Sequence, residues 1–287
     1  MKTAKKDISI GGKFNLGSAR PFFLIAGPCV LENRDHAFFL AGQIKEICRS
    51  NGVPFIFKAS FDKANRSSIR SYRGPGLEKG LKILASIKEE LDIPVLSDIH
   101  ETRQVSPAAE VLDVIQIPAF LCRQTDLITE AARTRKPLNI KKGQFLSPPD
   151  MKNIIEKIRS QDNEQIMLTE RGTCFGYNNL IVDIRSIPLM KRFGYPVVLD
   201  ASHSTQKPGG QGFYSGGEAE FISLYARAGI CAGADGIFIE VHENPSKALS
   251  DKHNSLILNK LDILLKSLLC LGKAQDSIKD YIRELGS

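Results

Sequence analysis

Apolar positions along the chain alternate between two patterns. Short continuous runs of about four to six residues are separated by longer stretches in which apolar residues recur every three or four positions. Short runs of this kind suit strands covered on both faces, and the longer pattern suits amphipathic helices. Strands are expected at Phe22 to Ala26, Phe55 to Ser60, Pro94 to Asp98, Val114 to Ile117, Leu138 to Lys141, Gln165 to Thr169, Pro196 to Asp200 and Gly236 to Val241. The expected helices are Asp35 to Arg49, Leu77 to Leu91, Thr102 to Val111, Thr125 to Thr134, Pro149 to Ser160, Leu180 to Phe193, Gly217 to Ala228 and Ser255 to Leu271. Eight strand–helix units predict an α/β fold, a (β/α)8 TIM barrel. A doubly wound open sheet is the alternative, but Gly27-Pro28-Cys29 does not match its glycine-rich phosphate turn. Ahead of the first strand, Gly11-Gly12 separates two short alternating runs, which predicts a β-hairpin cap over 7–16. An amphipathic helix is expected over 274–285. With no linker, low-complexity tract or further repeat, residues 1–287 are expected to form one barrel domain.

Composition narrows the class. The 287 residues are 42% hydrophobic and 25% charged, with a net charge of +7 and a pI near 9.0. The basic residues are scattered, Trp is absent and no nucleic-acid motif is present, so the positive balance points to small anionic substrates. No apolar run reaches membrane-spanning length, and the charged N-terminus lacks the apolar stretch of a secretory signal. Six widely spaced cysteines without a C-x-x-C pair suit reduced thiols and a cytoplasmic setting.

A barrel carries its chemistry at the C-terminal ends of its strands. Read in turn, those ends supply Cys29; Lys58 and Ser60; Asp98 and His100; Gln116; Lys141 and Lys142; Glu170 and Arg171; Asp200 and His203; Glu240 and His242. One subset is cationic. Lys58, Lys63, Arg66, Lys141 and Arg171 come from the ends of three strands and could surround a ligand with more than one anionic group. A second subset, Cys29, His203, Glu240 and Asp251, offers a thiolate, an imidazole and two carboxylates, donors that suit zinc, iron(II), manganese or cobalt better than calcium. Spacing alone favours reading Cys29 as a small buried hydrophobe. A strand-end lysine such as Lys141 or Lys142 also admits Schiff-base chemistry, and a sugar-phosphate-binding barrel without turnover is a reading from outside the enzymes.

Long segments give a sharper expectation. Phe57-Lys58-Ala59-Ser60-Phe61-Asp62-Lys63-Ala64-Asn65-Arg66-Ser67-Ser68 with Tyr72-Arg73-Gly74-Pro75-Gly76, Gln116-Ile117-Pro118-Ala119-Phe120-Leu121 with Arg123-Gln124-Thr125-Asp126-Leu127, Asn139-Ile140-Lys141-Lys142, Arg171-Gly172, Phe175-Gly176-Tyr177-Asn178-Asn179-Leu180 and Ser202-His203-Ser204-Thr205-Gln206 resemble the 3-deoxy-D-manno-octulosonate 8-phosphate synthases. The resemblance implies a barrel, usually homotetrameric, that condenses phosphoenolpyruvate with D-arabinose 5-phosphate and water for lipopolysaccharide synthesis. It implies that Lys58, Ser60, Lys63, Gln116, Ala119, Lys141 and Arg171 hold phosphoenolpyruvate. Asn65, Arg66 and Ser67 would take the sugar phosphate, and Asp98 and Gln206 would meet the sugar. Cys29 is similar to the metal-dependent class, whose ligands match Cys29, His203, Glu240 and Asp251, with zinc, iron, manganese, cobalt or cadmium as the divalent ion. His203, Glu240, Asp251 and Lys141 are the implied catalytic groups. The chain departs from the family at Asp251-Lys252, where Asp-Gly is frequent, and at Cys174, where Asn is common. Ala26-Gly27-Pro28-Cys29 is also similar to the related erythrose 4-phosphate synthases, which typically carry Lys-Pro-Arg-Thr where this chain has Lys63-Ala64-Asn65-Arg66-Ser67-Ser68.

Overall fold

A computed structural model describes residues 6–17, 21–66, 68–211 and 214–285. Its centre is a closed parallel barrel. The strands are β1 (Phe23–Gly27), β2 (Phe55–Lys58), β3 (Val95–Asp98), β4 (Val114–Ile117), β5 (Leu138–Lys141), β6 (Ile166–Glu170), β7 (Val197–Asp200) and β8 (Gly236–His242). Each pairs with the next, and β8 returns to β1 through Gly236↔Phe23 and on to Glu240↔Gly27. The surrounding helices are α1 (Arg34–Asn51), α2 (Leu77–Leu91), α3 (Val105–Val111), α4 (Thr125–Arg133), α5 (Met151–Arg159), α6 (Ser186–Lys191), α7 (Ile222–Cys231) and α8 (Leu261–Ser277), followed by a short α9 (Lys279–Leu285).

Side chains alternate in and out along each strand. The outward set packs under the helices, where α1 contributes Leu40, Ala41, Ile44 and Cys48 and α8 contributes Leu261, Leu264, Leu265 and Leu268. The inward set is a separate apolar cluster of Phe23, Ile25, Ile56, Leu96, Val114, Met167, Val198 and Phe238. The N-terminal hairpin, Ser9–Ile10 against Phe14–Asn15, presses Ile8, Ile10 and Leu16 into that cluster. The expected cap therefore closes the N-terminal end of the barrel. Two residues beyond five of these floor residues, the inward position carries a charged or amide side chain: Ile56 leads to Lys58, Leu96 to Asp98, Val114 to Gln116, Val198 to Asp200 and Phe238 to Glu240. This step lifts the chemistry to the open end.

Three helices start five or six residues later than their periodicity suggests. An antiparallel hairpin, Thr173–Gly176 with Asn179–Ile181, occupies the first part of the expected helix over Leu180 to Phe193, with Asn178 at its turn in a left-handed conformation (φ 54°) that Asn tolerates. A second hairpin, Gln206–Gln211 with Tyr214–Gly217, delays α7 to Ile222. Leu256–Ile257 extends the sheet beside β8, so α8 begins at Leu261. The helix expected over 274–285 is likewise divided, because α8 runs on to Ser277 and α9 starts at Lys279. Gly272 does not end α8. It lets the helix lie against Pro21, where an added Cβ would meet the ring carbon at 2.5 Å. Among the described residues, no helix is long and apolar enough to cross a membrane.

Candidate active site

The C-terminal mouth of the barrel holds a cavity of about 410 Å³. Its lining includes Lys58, Lys63, Asn65, Arg66, Asp98, Ala119, Lys141, Arg171, His203, Gln206 and Asp251, so most of the residues singled out by sequence converge there. Cys29, Ser60, Gln116 and Glu240 are buried outside that lining. Ser67 lies outside the described residues.

The cations are anchored rather than free. Lys58 Nζ donates to the Cys29 carbonyl at 2.8 Å and faces Glu240 Oε1 at 3.5 Å. This contact needs β1 and β2 to end very close together. Gly27 allows it at φ 155°, since a Cβ there would lie 2.1 Å from the Lys58 carbonyl oxygen. Lys141 Nζ donates to Asp200 Oδ2 at 2.6 Å and sits 3.8 Å from the centre of the Phe238 ring, so the apolar floor supports it from below. Burial lowers the Lys141 ammonium and the Arg171 guanidinium from their ordinary ranges, an effect that an anionic ligand would reverse. Arg171 Nη2 donates to Gln206 Oε1 at 2.7 Å, while its Nη1 is buried with no hydrogen-bond partner. A buried, partnerless guanidinium nitrogen beside a cavity is a ready donor for an anion.

A thiol and two carboxylates face one another. Ligand atoms of Cys29, Glu240 and Asp251 all lie within 4.8 Å of each other. Cys29 Sγ is 2.7 Å from Asp251 Oδ2 and 2.8 Å from Ser250 Oγ. His203 joins through Glu240, with Nε2 3.3 Å from Oε1. Its Nδ1 is 2.7 Å from Asp200 Oδ2, so Nδ1 carries the proton and the Nε2 lone pair faces the cluster. Burial, then the charges of Asp251 and Glu240, push the Cys29 thiol far above its ordinary range. Burial also opposes ionisation of Asp251, but the Lys63 ammonium and the hydrogen bond from Cys29 hold this carboxyl well below the usual carboxylate range. Glu240 Oε2 is buried without a partner. An orphaned carboxylate oxygen, an available imidazole nitrogen and a thiol whose ionisation needs a nearby positive charge fit a divalent cation.

The structure adds residues to which sequence reasoning gave no role. Asp200 ties Lys141 to His203. Ser250 bonds both Cys29 and Asp251. Gln206, already expected at the sugar, also spans the two halves of the site, accepting from Arg171 and donating to Asp251 Oδ1 at 2.9 Å. Arg70, Tyr72, His100, Gln144, Lys252 and His253 also line the cavity. Asp200 was visible as a strand end. Ser250 carried no signal beyond its position before Asp251.

Fold and site together define a (β/α)8 barrel whose mouth joins a cationic pole to a thiol–imidazole–carboxylate cluster. Residues 3–277 match the DAHP synthetase I family. A protein of Geobacter metallireducens named 2-dehydro-3-deoxyphosphooctonate aldolase is 56% identical over 273 residues, covering 95% of this chain and 98% of that protein. One of the same name from Trichlorobacter lovleyi is 57% identical over 266 residues, covering 93% and 97%. Another, from Desulfatibacillum aliphaticivorans, is 56% identical with the same coverage. The chain belongs to the DAHP synthetase I family and, within it, to the group of 2-dehydro-3-deoxyphosphooctonate aldolases.

Proposed function

We infer that the barrel mouth condenses phosphoenolpyruvate with D-arabinose 5-phosphate and water, giving 3-deoxy-D-manno-octulosonate 8-phosphate and phosphate in Kdo biosynthesis. The observation that carries this reading is the partnerless Arg171 Nη1 near buried Lys141, in a cavity that also reaches Asn65 and Arg66. A ligand with two separated anionic ends, or two ligands together, would satisfy such an arrangement. Lys141 and Arg171 take the phosphate of phosphoenolpyruvate, and Lys58 and Lys63 its carboxylate. Ala119 packs beside it, and Ser60 and Gln116 act from beneath through Asp98. Asn65, Arg66 and Ser67 take the sugar phosphate, and Asp98 and Gln206 meet the sugar hydroxyls.

In this reaction C3 of phosphoenolpyruvate forms a bond to the aldehyde carbon, and water adds its oxygen at C2. One proton of that water ends on the former aldehyde oxygen and the other leaves with the phosphate. The C2–O bond to the phosphoryl group then breaks, leaving a ketone and inorganic phosphate. Clustered cations bring two anions together and hold them in register. Arg171 and Lys141 stabilise the charge on the departing phosphate. A divalent cation held by Cys29, His203, Glu240 and Asp251 would supply Lewis acidity at the sugar end. Glu240 and Asp251 are the carboxylates positioned to hold or pass a proton, and Asp200 orients the His203 ring. We assign the enzyme to the cytoplasm as a homotetramer.

The erythrose 4-phosphate reaction is the rival within the same family. Phosphate release from phosphoenolpyruvate with each aldose separates the two readings. Faster turnover with arabinose 5-phosphate is expected, and a preference for erythrose 4-phosphate would overturn the assignment.

A further inference from the structure

One inward position breaks the apolar floor. Two residues before its strand-end group, β5 carries Asn139, where the matching positions on β2, β3, β4, β7 and β8 hold Ile56, Leu96, Val114, Val198 and Phe238. Asn139 is fully buried, and so is Thr169 on β6. Neither lines the cavity. Burying an amide and a hydroxyl in a barrel interior is costly unless each is paired.

The pairing runs in one direction. Thr169 Oγ1 lies 2.6 Å from Asn139 Oδ1, and Asn139 Nδ2 lies 2.8 Å from Gln116 Oε1. Gln116 Nε2 in turn donates to Asp98 Oδ1, and Ser60 Oγ donates to Asp98 Oδ2. Only Asp98, at the end of this series, faces the cavity. An ionised carboxylate can only accept. Gln116 must therefore turn its NH2 group toward Asp98, which leaves its carbonyl facing Asn139. Asn139 must then present its own NH2 group, which leaves its carbonyl for the Thr169 hydroxyl. Reversing Gln116 would set its carbonyl oxygen against the Asp98 carboxylate, and reversing Asn139 would set its carbonyl oxygen against that of Gln116, both in a buried site. Lys58, Lys63, Lys141 and His100 are the charged and titratable groups around Asp98, and they keep it ionised.

We propose that Asn139 and Thr169 are positioning residues, and that with Gln116 they form a directional hydrogen-bond ladder fixing the Asp98 carboxylate toward the sugar substrate. The sugar assignment rests on the function inferred above, whereas the ladder itself does not. Each link limits the rotation of the next, so the ladder acts on the orientation of Asp98, while Lys141 and Arg171 keep their separate anchors on Asp200 and Gln206.

The test uses Thr169→Val, which removes the hydroxyl with little change of volume, Thr169→Ser, which keeps it, and Asn139→Leu. Losing a buried partner is expected to raise KM for arabinose 5-phosphate roughly tenfold in Thr169→Val and up to roughly a hundredfold in Asn139→Leu. KM for phosphoenolpyruvate changes far less, and Thr169→Ser stays near wild type. Equal shifts in both KM values, or the same defect in Thr169→Ser, would overturn the proposal. A second readout needs no substrate. Exchange of the Gln116 side-chain amide protons, followed by NMR, is slow in wild type and speeds up at least roughly tenfold in Thr169→Val but not in Thr169→Ser. Unchanged Gln116 exchange in Thr169→Val would overturn the ladder. A wild-type protein inert toward arabinose 5-phosphate would remove the functional reading, while this exchange measurement still decides the ladder.

Discussion

The two ends of the barrel are built from the same strands and differ in almost every physical respect. At the N-terminal end, Phe23, Ile25, Ile56 and Val198 meet Ile8, Ile10 and Leu16 of the hairpin in a sealed apolar plug. At the C-terminal end, two residues further along, Lys58, Asp98, Asp200 and Glu240 lie on the same inward face and are just as buried. The first end gains stability from the apolar area removed from water. The second gathers charges that are stable only because each has a partner, such as Lys141 with Asp200. Labour is thus divided along one strand: the plug fixes the strand ends, and the fixed strand ends hold groups that solvent would otherwise scatter.

Substitutions at the two ends should therefore fail differently. The largest effect is expected at Cys29, where Cys29→Ala should remove divalent-metal binding and lower turnover by more than about 10³-fold. Metal content and phosphate release read this directly, and metal retention with normal turnover would break the comparison. Next is Arg171→Ala, expected to lower kcat by about 10²–10³-fold through loss of a preorganised donor. At the other end, Ile10→Ala should cost about 2–5 kcal/mol of unfolding free energy, with KM values nearly unchanged. Denaturant unfolding checks the first part and steady-state kinetics the second.

The acid dependence is subtler. Burial pushes the Asp98 carboxyl up, but Lys58, Lys63 and Lys141 outweigh it and hold the group below the ordinary carboxylate value. A carboxyl depressed in the folded state adds stability above its unfolded pKa, near about 4, and loses it as pH falls through the folded value. The stability gap between wild type and Asp98→Asn should thus narrow from about pH 5 down to about pH 2, as followed by denaturant unfolding at each pH. The smallest effect is expected away from both ends. Lys266→Ala breaks an exposed pair with Asp262 on α8 and should change stability by less than about 0.5 kcal/mol.

Much of this was legible in the sequence, for identifiable reasons. β4 and β5 match their expected limits because their helix-facing positions, Ile115, Ile117, Leu138 and Ile140, are all apolar and Pro118 and Pro137 punctuate the runs, even though Gln116, Asn139 and Lys141 alternate with them. The two mouth hairpins were not legible. Gln206–Gln211 contains Pro208, Gly209 and Gly210 and has no apolar alternation, so nothing in it separates a strand from a loop. The site divides in the same way. Strand-end position brought Lys58, Asp98, Lys141, Arg171 and His203 to the mouth, since the barrel itself dictates that placement. It could not tell which side chains face the cavity. Ser60 and Gln116 are both spent on Asp98, and Cys29 bonds Asp251 from outside the lining. Those outcomes depend on loop paths and side-chain partners from distant parts of the chain.

The central claim is that the mouth, with its cationic pole and its Cys29–His203–Glu240–Asp251 cluster, carries out a metal-assisted condensation. The most direct test is phosphate release from phosphoenolpyruvate plus arabinose 5-phosphate, measured before and after EDTA and again after adding Mn²⁺ or Zn²⁺. Turnover should disappear with chelator and return with metal. Turnover that persists undiminished in protein stripped of metal would contradict it.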